Sequence, residues 1–145
     1  MAEGVEAPTA GALEDSLGYS VKRAQVRCDE ALIAMLPAGL SPTRLTAMAI
    51  IDANPGITQA ALGAALHIAP PSVVKVADLL EGLGFMKRQA SPQNRRIYNL
   101  VLTAEGREEL RRCQSIVAKS EQTISSRLSK AERALLIELL SRVAT

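Results

Sequence analysis

The stretch from Thr58 to Leu102 constrains this chain more than any other part of it. It opens Thr58-Gln59-Ala60-Ala61-Leu62-Gly63-Ala64-Ala65-Leu66, breaks at His67-Ile68-Ala69, and resumes with Pro70-Pro71-Ser72 in a run that reaches Leu83. Gly84 ends that run, and Phe85 to Leu102 alternates around a tip of Ser91-Pro92-Gln93-Asn94. Two short helices joined by a tight turn and followed by a hairpin form the element order of a winged helix-turn-helix. A steep angle between such helices lets the second enter a DNA major groove. An arginine-bearing hairpin beside it can hold the adjacent backbone or minor groove.

At 145 residues the chain is long enough for one domain with a real core. Nearly half the residues are apolar, yet the aromatics are only Tyr19, Phe85 and Tyr98. A core built from Leu, Ile, Val, Ala and Met suits packed helices, so the expected fold is mainly α with a small β-hairpin wing. The net charge of +2 announces no polyanionic partner. Its distribution is more telling: Lys87, Arg88, Arg95 and Arg96 lie between Gly84 and Leu100 with no acid among them. Phosphate contact requires a local cluster of this kind. Cys28 and Cys113 are too few for a disulfide framework, and with His67 as the sole histidine neither a metal site nor a cofactor is expected. No glycine-rich phosphate loop, nucleophile–histidine motif or paired carboxylates in an apolar context points to an enzyme. The absence of a basic-then-apolar start or of a long apolar run leads to the expectation of a cytoplasmic protein without a membrane partner.

Residues 1–14, rich in Ala, Gly, Glu and Pro, read as a mobile arm. A helix over residues 15–40, capped by Asp15 or Ser16, carries Leu17, Val21, Ala24, Cys28, Ala31 and Met35 at heptad spacing. Residues 41–103 form the winged module, entered through Ser41-Pro42 and broken at Asn54-Pro55-Gly56. Its two helices should pack through Leu62, Leu66, Ile68, Val73, Val76 and Leu80, and its second strand should run from Arg96 to Leu102. Residues 104–145 hold two further helices. The last opens on a capping box, Ser129-Lys130-Ala131-Glu132, and places Leu135, Leu136, Leu139, Leu140 and Val143 on one face.

This order, with Thr58-Gln59, Leu62, Leu66, Ile68, Pro71-Ser72-Val73, Asp78, Leu80-Glu81, Gly84-Phe85, Arg95-Arg96, Leu102-Thr103 and Glu105-Gly106, resembles the MarR family of bacterial transcriptional regulators. The resemblance spans roughly Leu17 to Val143. It implies a homodimer built through the N- and C-terminal helices, an operator DNA partner, and control by a small-molecule effector.

On this reading Thr58 and Gln59 open the first helix of the motif, and Ala69, Pro70, Pro71, Ser72, Val74 and Lys75 approach base edges from the second. Proline at the first helical positions loses no hydrogen bond, Ser72 and Lys75 offer polar contacts, and Val74 offers only apolar contact to thymine methyls. The family usually carries polar or arginine side chains at the sites of Pro70 and Val74, so more of the specificity should rest on DNA shape. Arg95 or Arg96 matches the family's minor-groove arginine, with Lys87 and Arg88 set against phosphates at the hairpin base. Asn94 stands where the family usually has aspartate, and orients an arginine by hydrogen bonding alone.

The effector site implied by the resemblance lies between the dimer helices and the module, with Tyr19, Lys22, Arg23, Arg27, Arg44 and Met48 as candidate lining. Arginines beside an apolar wall suit a carboxylate or phosphate, which suggests aromatic acids or their coenzyme A thioesters. Arg23 and Arg27, four apart, fit a solvated helix face equally well. The leading expectation is a repressor on a pseudo-palindromic operator. Its rivals are a winged-helix protein-interaction module and a redox sensor acting through Cys28, a residue whose place on the apolar seam favours a structural role.

Overall fold

In the computed structural model, residues 8–145 are described. Of the arm expected over 1–14, residues 1–7 lie outside them. Gly11–Leu13 form one turn of 3-10 helix, closed where the Glu14 carboxylate accepts the Ala10 N–H at 3.0 Å.

Side-chain caps fix where most helices begin. Helix α1 (Leu17–Ile33) starts where the Ser16 hydroxyl accepts the Tyr19 N–H, and α2 (Pro42–Ala53) where Ser41 accepts that of Arg44, with proline in the first turn. A two-residue strand, β1 (Ile57–Thr58), leads into α3 (Gln59–Leu66), capped by Thr58. Helix α4 (Pro70–Gly82) follows, then strands β2 (Met86–Ala90) and β3 (Tyr98–Leu102). Thr103 caps α5 (Ala104–Ile124). The expected capping box opens α6 (Lys130–Val143): Ser129 accepts from the Glu132 N–H at 3.2 Å, and Glu132 accepts from the Ser129 N–H at 2.7 Å.

The sheet is antiparallel in the order β1-β3-β2, pairing Ile57 with Leu100 and Met86 with Leu102. Two sequence expectations change here. Strand β1, too short to show a period of two, joins the hairpin as a third strand. The second hairpin strand begins at Tyr98 rather than Arg96, so both Arg95 and Arg96 belong to the tip loop.

The core gathers Met48 and Ile51 of α2, Leu62 of α3, Val73, Ala77 and Leu80 of α4, and Met86, Leu100 and Leu102 of the sheet. Each large side chain here contributes roughly 1.5–3 kcal/mol by leaving water. The axes of α3 and α4 turn by 109° about the linker His67–Ala69. His67 makes that turn in the left-handed region at φ 53°, its N–H donating to Ala64 O at 3.2 Å. Gly63 sets the distance between the two helices, because a Cβ there would lie 2.5 Å from Val73 Cγ2. Among the described residues no single helix is long and apolar enough to cross a membrane.

Outside the module, α1 packs along α5. Of the six heptad residues of the first helix, Ala31 is buried, Val21 and Cys28 are half-buried, and Leu17, Ala24 and Met35 are exposed. Helix α6 contributes nothing buried: Leu135, Leu136, Ile137, Leu139, Leu140 and Val143 are each between 39% and 55% exposed.

Candidate nucleic-acid interface

The outer face of α4 follows from its buried one. Val73, Ala77 and Leu80 turn inward, which leaves Ser72, Val74, Lys75 and Asp78 outward at the helix spacing. Ala69, Pro70 and Pro71 are exposed at its start. Ala69 has no side chain with which to cap, so the first turn closes through the backbone, with Ser72 N–H donating to Ala69 O at 2.9 Å. The Ser72 hydroxyl has no partner among the described residues, and Lys75 forms no ion pair there. The end of α4 that enters a groove in helix-turn-helix proteins is therefore open and weakly polar.

The wing tip is built by short side chains. Asn94 Oδ1 accepts the Arg96 N–H at 3.0 Å, its carbonyl accepts the Ile97 N–H at 3.0 Å, and Ser91 N–H donates to Ile97 O at 2.9 Å. Asn94 thus shapes the loop through the backbone of Arg96, and no hydrogen bond joins it to either guanidinium. Arg95 and Arg96 are exposed and, among the described residues, free of carboxylates. Arg96, Ile97 and Tyr98 line one groove with Thr58, Gln59 and Ala60, so the wing and the start of α3 share a wall.

Lys87 and Arg88 do not act alike. Adjacent residues on a strand point to opposite faces, and Lys87 is exposed while the Arg88 side chain is only 18% exposed. The Arg88 guanidinium donates to Asp78 Oδ1 at 2.6 Å, Glu81 Oε1 at 3.1 Å and Gln59 Oε1 at 3.3 Å, and the Arg88 backbone N–H donates to Glu81 Oε2 at 3.3 Å. The expectation of Arg88 lying against phosphate is corrected: its donors are already engaged by α4 and α3. Gln59, placed by sequence among the DNA contacts, keeps only its amide N–H₂ free of this network. The i,i+3 spacing of Asp78 and Glu81 was the visible signal of a shared partner, but nothing local identified Arg88 as that partner.

The six candidate effector residues are not brought together. Tyr19, Lys22, Arg23 and Arg27 line a shallow groove on α1, where Arg23 stacks over the Tyr19 ring at 5.7 Å and Arg27 approaches Glu30 at 4.0 Å. Arg44 donates to Gly39 O at 2.6 Å, and Met48 is fully buried in the core. The cleft that does lie between the terminal helices and the module measures about 450 Å³, and α1, α2, α3 and α5 wall it with other residues. They include Gln25, Cys28, Asp29, Leu32, Ser120 and Glu121. None was marked as lining from sequence, since they come from helices separated by up to a hundred positions. Burial and the neighbouring carboxylates of Glu121 and Asp29 push the Cys28 thiol above its ordinary pKa.

Comparison with known proteins bears on this arrangement. Residues 40–98 match the MarR family. A protein of Thauera aromatica, named as a transcriptional regulatory protein for the hcr operon, is 35% identical over 92% of this chain and 81% of its own. An HTH-type transcriptional repressor of Mycobacterium bovis is 26% identical over 89% of this chain and 94% of its own. The solved structure of the transcriptional repressor CouR bound to a 23-mer DNA duplex superposes with a TM-score of 0.87, at 34% identity over 97% of this chain and 100% of that one. These relatives are transcriptional regulators and not enzymes. The chain belongs to the MarR family of transcriptional regulators.

Proposed function

We propose that this regulator is a homodimeric repressor that reads a pseudo-palindromic operator with α4 and grips the flanking backbone with its wing. The observation that carries this reading is the pairing of an open α4 N-terminus, from Ala69 to Lys75, with Arg95 and Arg96 unspent at the wing tip. Thr58, Gln59 and Lys87 add contacts around this pair. Arg88 holds α4 and β2 in place from behind. Two such modules on a two-fold axis read half-sites about one helical turn apart, and CouR, similar over its full length, is itself bound to a duplex. The apolar, uncovered face of α6 and the exposed residues of α1 supply the surface for a second copy. A small organic effector in the cleft between the terminal helices and the module shifts the dimer toward a spacing the operator cannot match.

Fluorescence anisotropy with duplexes from upstream of the chain's own gene, across several salt concentrations, tests the DNA half of this reading. Arg95→Ala with Arg96→Ala should weaken binding on the order of tenfold. The slope of log affinity against log salt should flatten by about 1–2, one unit per lost phosphate contact. An unchanged slope removes the wing from the mechanism. Equal affinity for every duplex tested would favour a protein-interaction module instead.

A further inference from the structure

We propose that the cleft between α1, α2, α3 and α5 takes an uncharged, ring-sized ligand that donates a hydrogen bond, and rejects the same ligand as a free carboxylate. The proposal rests on the effector-controlled reading above and supplies the chemistry of its effector.

Shape and polarity support it independently. About 450 Å³ holds a substituted ring, and Leu32, Leu66 and Ile68 offer apolar walls for its faces. Ser120 lines the same cleft at 5% exposure, and among the described residues its hydroxyl has no hydrogen-bond partner. No fully buried side-chain polar atom among the described residues lacks a partner, so the Ser120 oxygen opens onto the cleft, where its position suits a polar substituent on the ligand.

Charge decides the class. Among the described residues the charged ones lining the cleft are Asp29 and Glu121, and neither lysine nor arginine lines it. Arg133 of α6 engages Glu121 and offsets that charge. Among the described residues Asp29 receives only the Gln25 amide, at 2.8 Å on Oδ1, which leaves Oδ2 as an acceptor. The Cys28 thiol beside Glu121 and Asp29 is raised first by burial and then by these two carboxylates. A phenol or amide N–H donates into such a site, whereas a second carboxylate meets repulsion that solvent only partly screens. The arginines that suggested an acidic effector stand elsewhere: Arg23 and Arg27 on the open groove of α1, Arg44 on Gly39.

Titration calorimetry on the purified full chain tests this with 4-hydroxyphenylacetamide, 4-hydroxyphenylacetate and phenylacetamide. The first two are nearly isosteric, so their difference isolates charge; the third removes the ring hydroxyl. The hydroxylated amide should bind, its acid about tenfold or more weakly, and phenylacetamide several-fold more weakly. Asp29→Asn should admit the acid and narrow the gap, a gain that a damaged fold does not produce. Equal binding of acid and amide, binding of none of the three, or an unchanged ratio in Asp29→Asn overturns the proposal. Repeating the titration with operator duplex present separates the two readings. Amide binding that leaves DNA affinity untouched supports the cleft chemistry while removing the effector role.

Discussion

Arg88 draws together residues that lie 7, 10 and 29 positions away, from α4 and from the start of α3. It also covers Asp78 and Glu81, two carboxylates on the helix that faces DNA in the proposed complex. Arg88→Gln should lower stability by about 1 kcal/mol, since its partners are half-exposed and solvent recovers much of the loss. Operator affinity should fall further than stability suggests, on the order of tenfold at low salt and less at high salt, because two uncovered acids then face phosphate. Arg88→Lys keeps the charge but not the planar fork, and should recover only part of both effects in matched melting and anisotropy curves. Cys28 makes the opposite case. With its thiol pushed above the ordinary value, less thiolate exists at neutral pH than in a free cysteine. Peroxide should therefore leave operator affinity unchanged, and thiol-reagent labelling should accelerate only at alkaline pH. Sequence set Lys87 and Arg88 alike against phosphates; their alternation across a strand divides them, and only the partners on α4 reveal which of the two turns inward.

At the level of elements, what could be read in the chain was what local chemistry determines. Ser16, Ser41, Thr58 and Ser129 each cap a helix where the sequence places a helix start, and the 109° turn follows from the break at His67-Ile68-Ala69. What could not be read depends on distant pairing: β1 exists because Ile57 meets Leu100, and the wing tip is long because Asn94 draws Arg96 and Ile97 out of the strand. The lining of the cleft between α1, α2, α3 and α5 was missed for the same reason, since four helices build it together. The capping box of α6 carries its own pH signature. Hydrogen bonds from Ser129 hold the Glu132 carboxyl below the usual carboxylate range. A lowered folded value adds stability above the ordinary carboxylate pKa and loses it as pH falls through the lowered one. Glu132→Ala should therefore reduce helicity at neutral pH, with the gap to wild type closing in acid by circular dichroism.

Across the whole molecule the division is between a module that completes its own core and terminal helices that do not. Gly106 joins the two parts: a Cβ there would fall 1.9 Å from the Phe85 carbonyl oxygen, so α5 starts hard against the junction of α4 and β2. Thr103 fastens the same corner, its hydroxyl donating to Gly84 O at 2.6 Å. The start of α5 is thus in direct contact with the segment that joins α4 to β2. Leu136→Glu with Leu140→Glu should yield monomers in sedimentation, with α2–α4 and the sheet still folded and operator binding reduced at least about a hundredfold, because each half-site then binds alone. The bare flank of α6 also has a consequence for dosage. If subunits must meet before they can occupy an operator, occupancy at scarce supply climbs with the square of the amount synthesised, so promoter silencing switches over a narrow band of expression instead of tracking it in proportion.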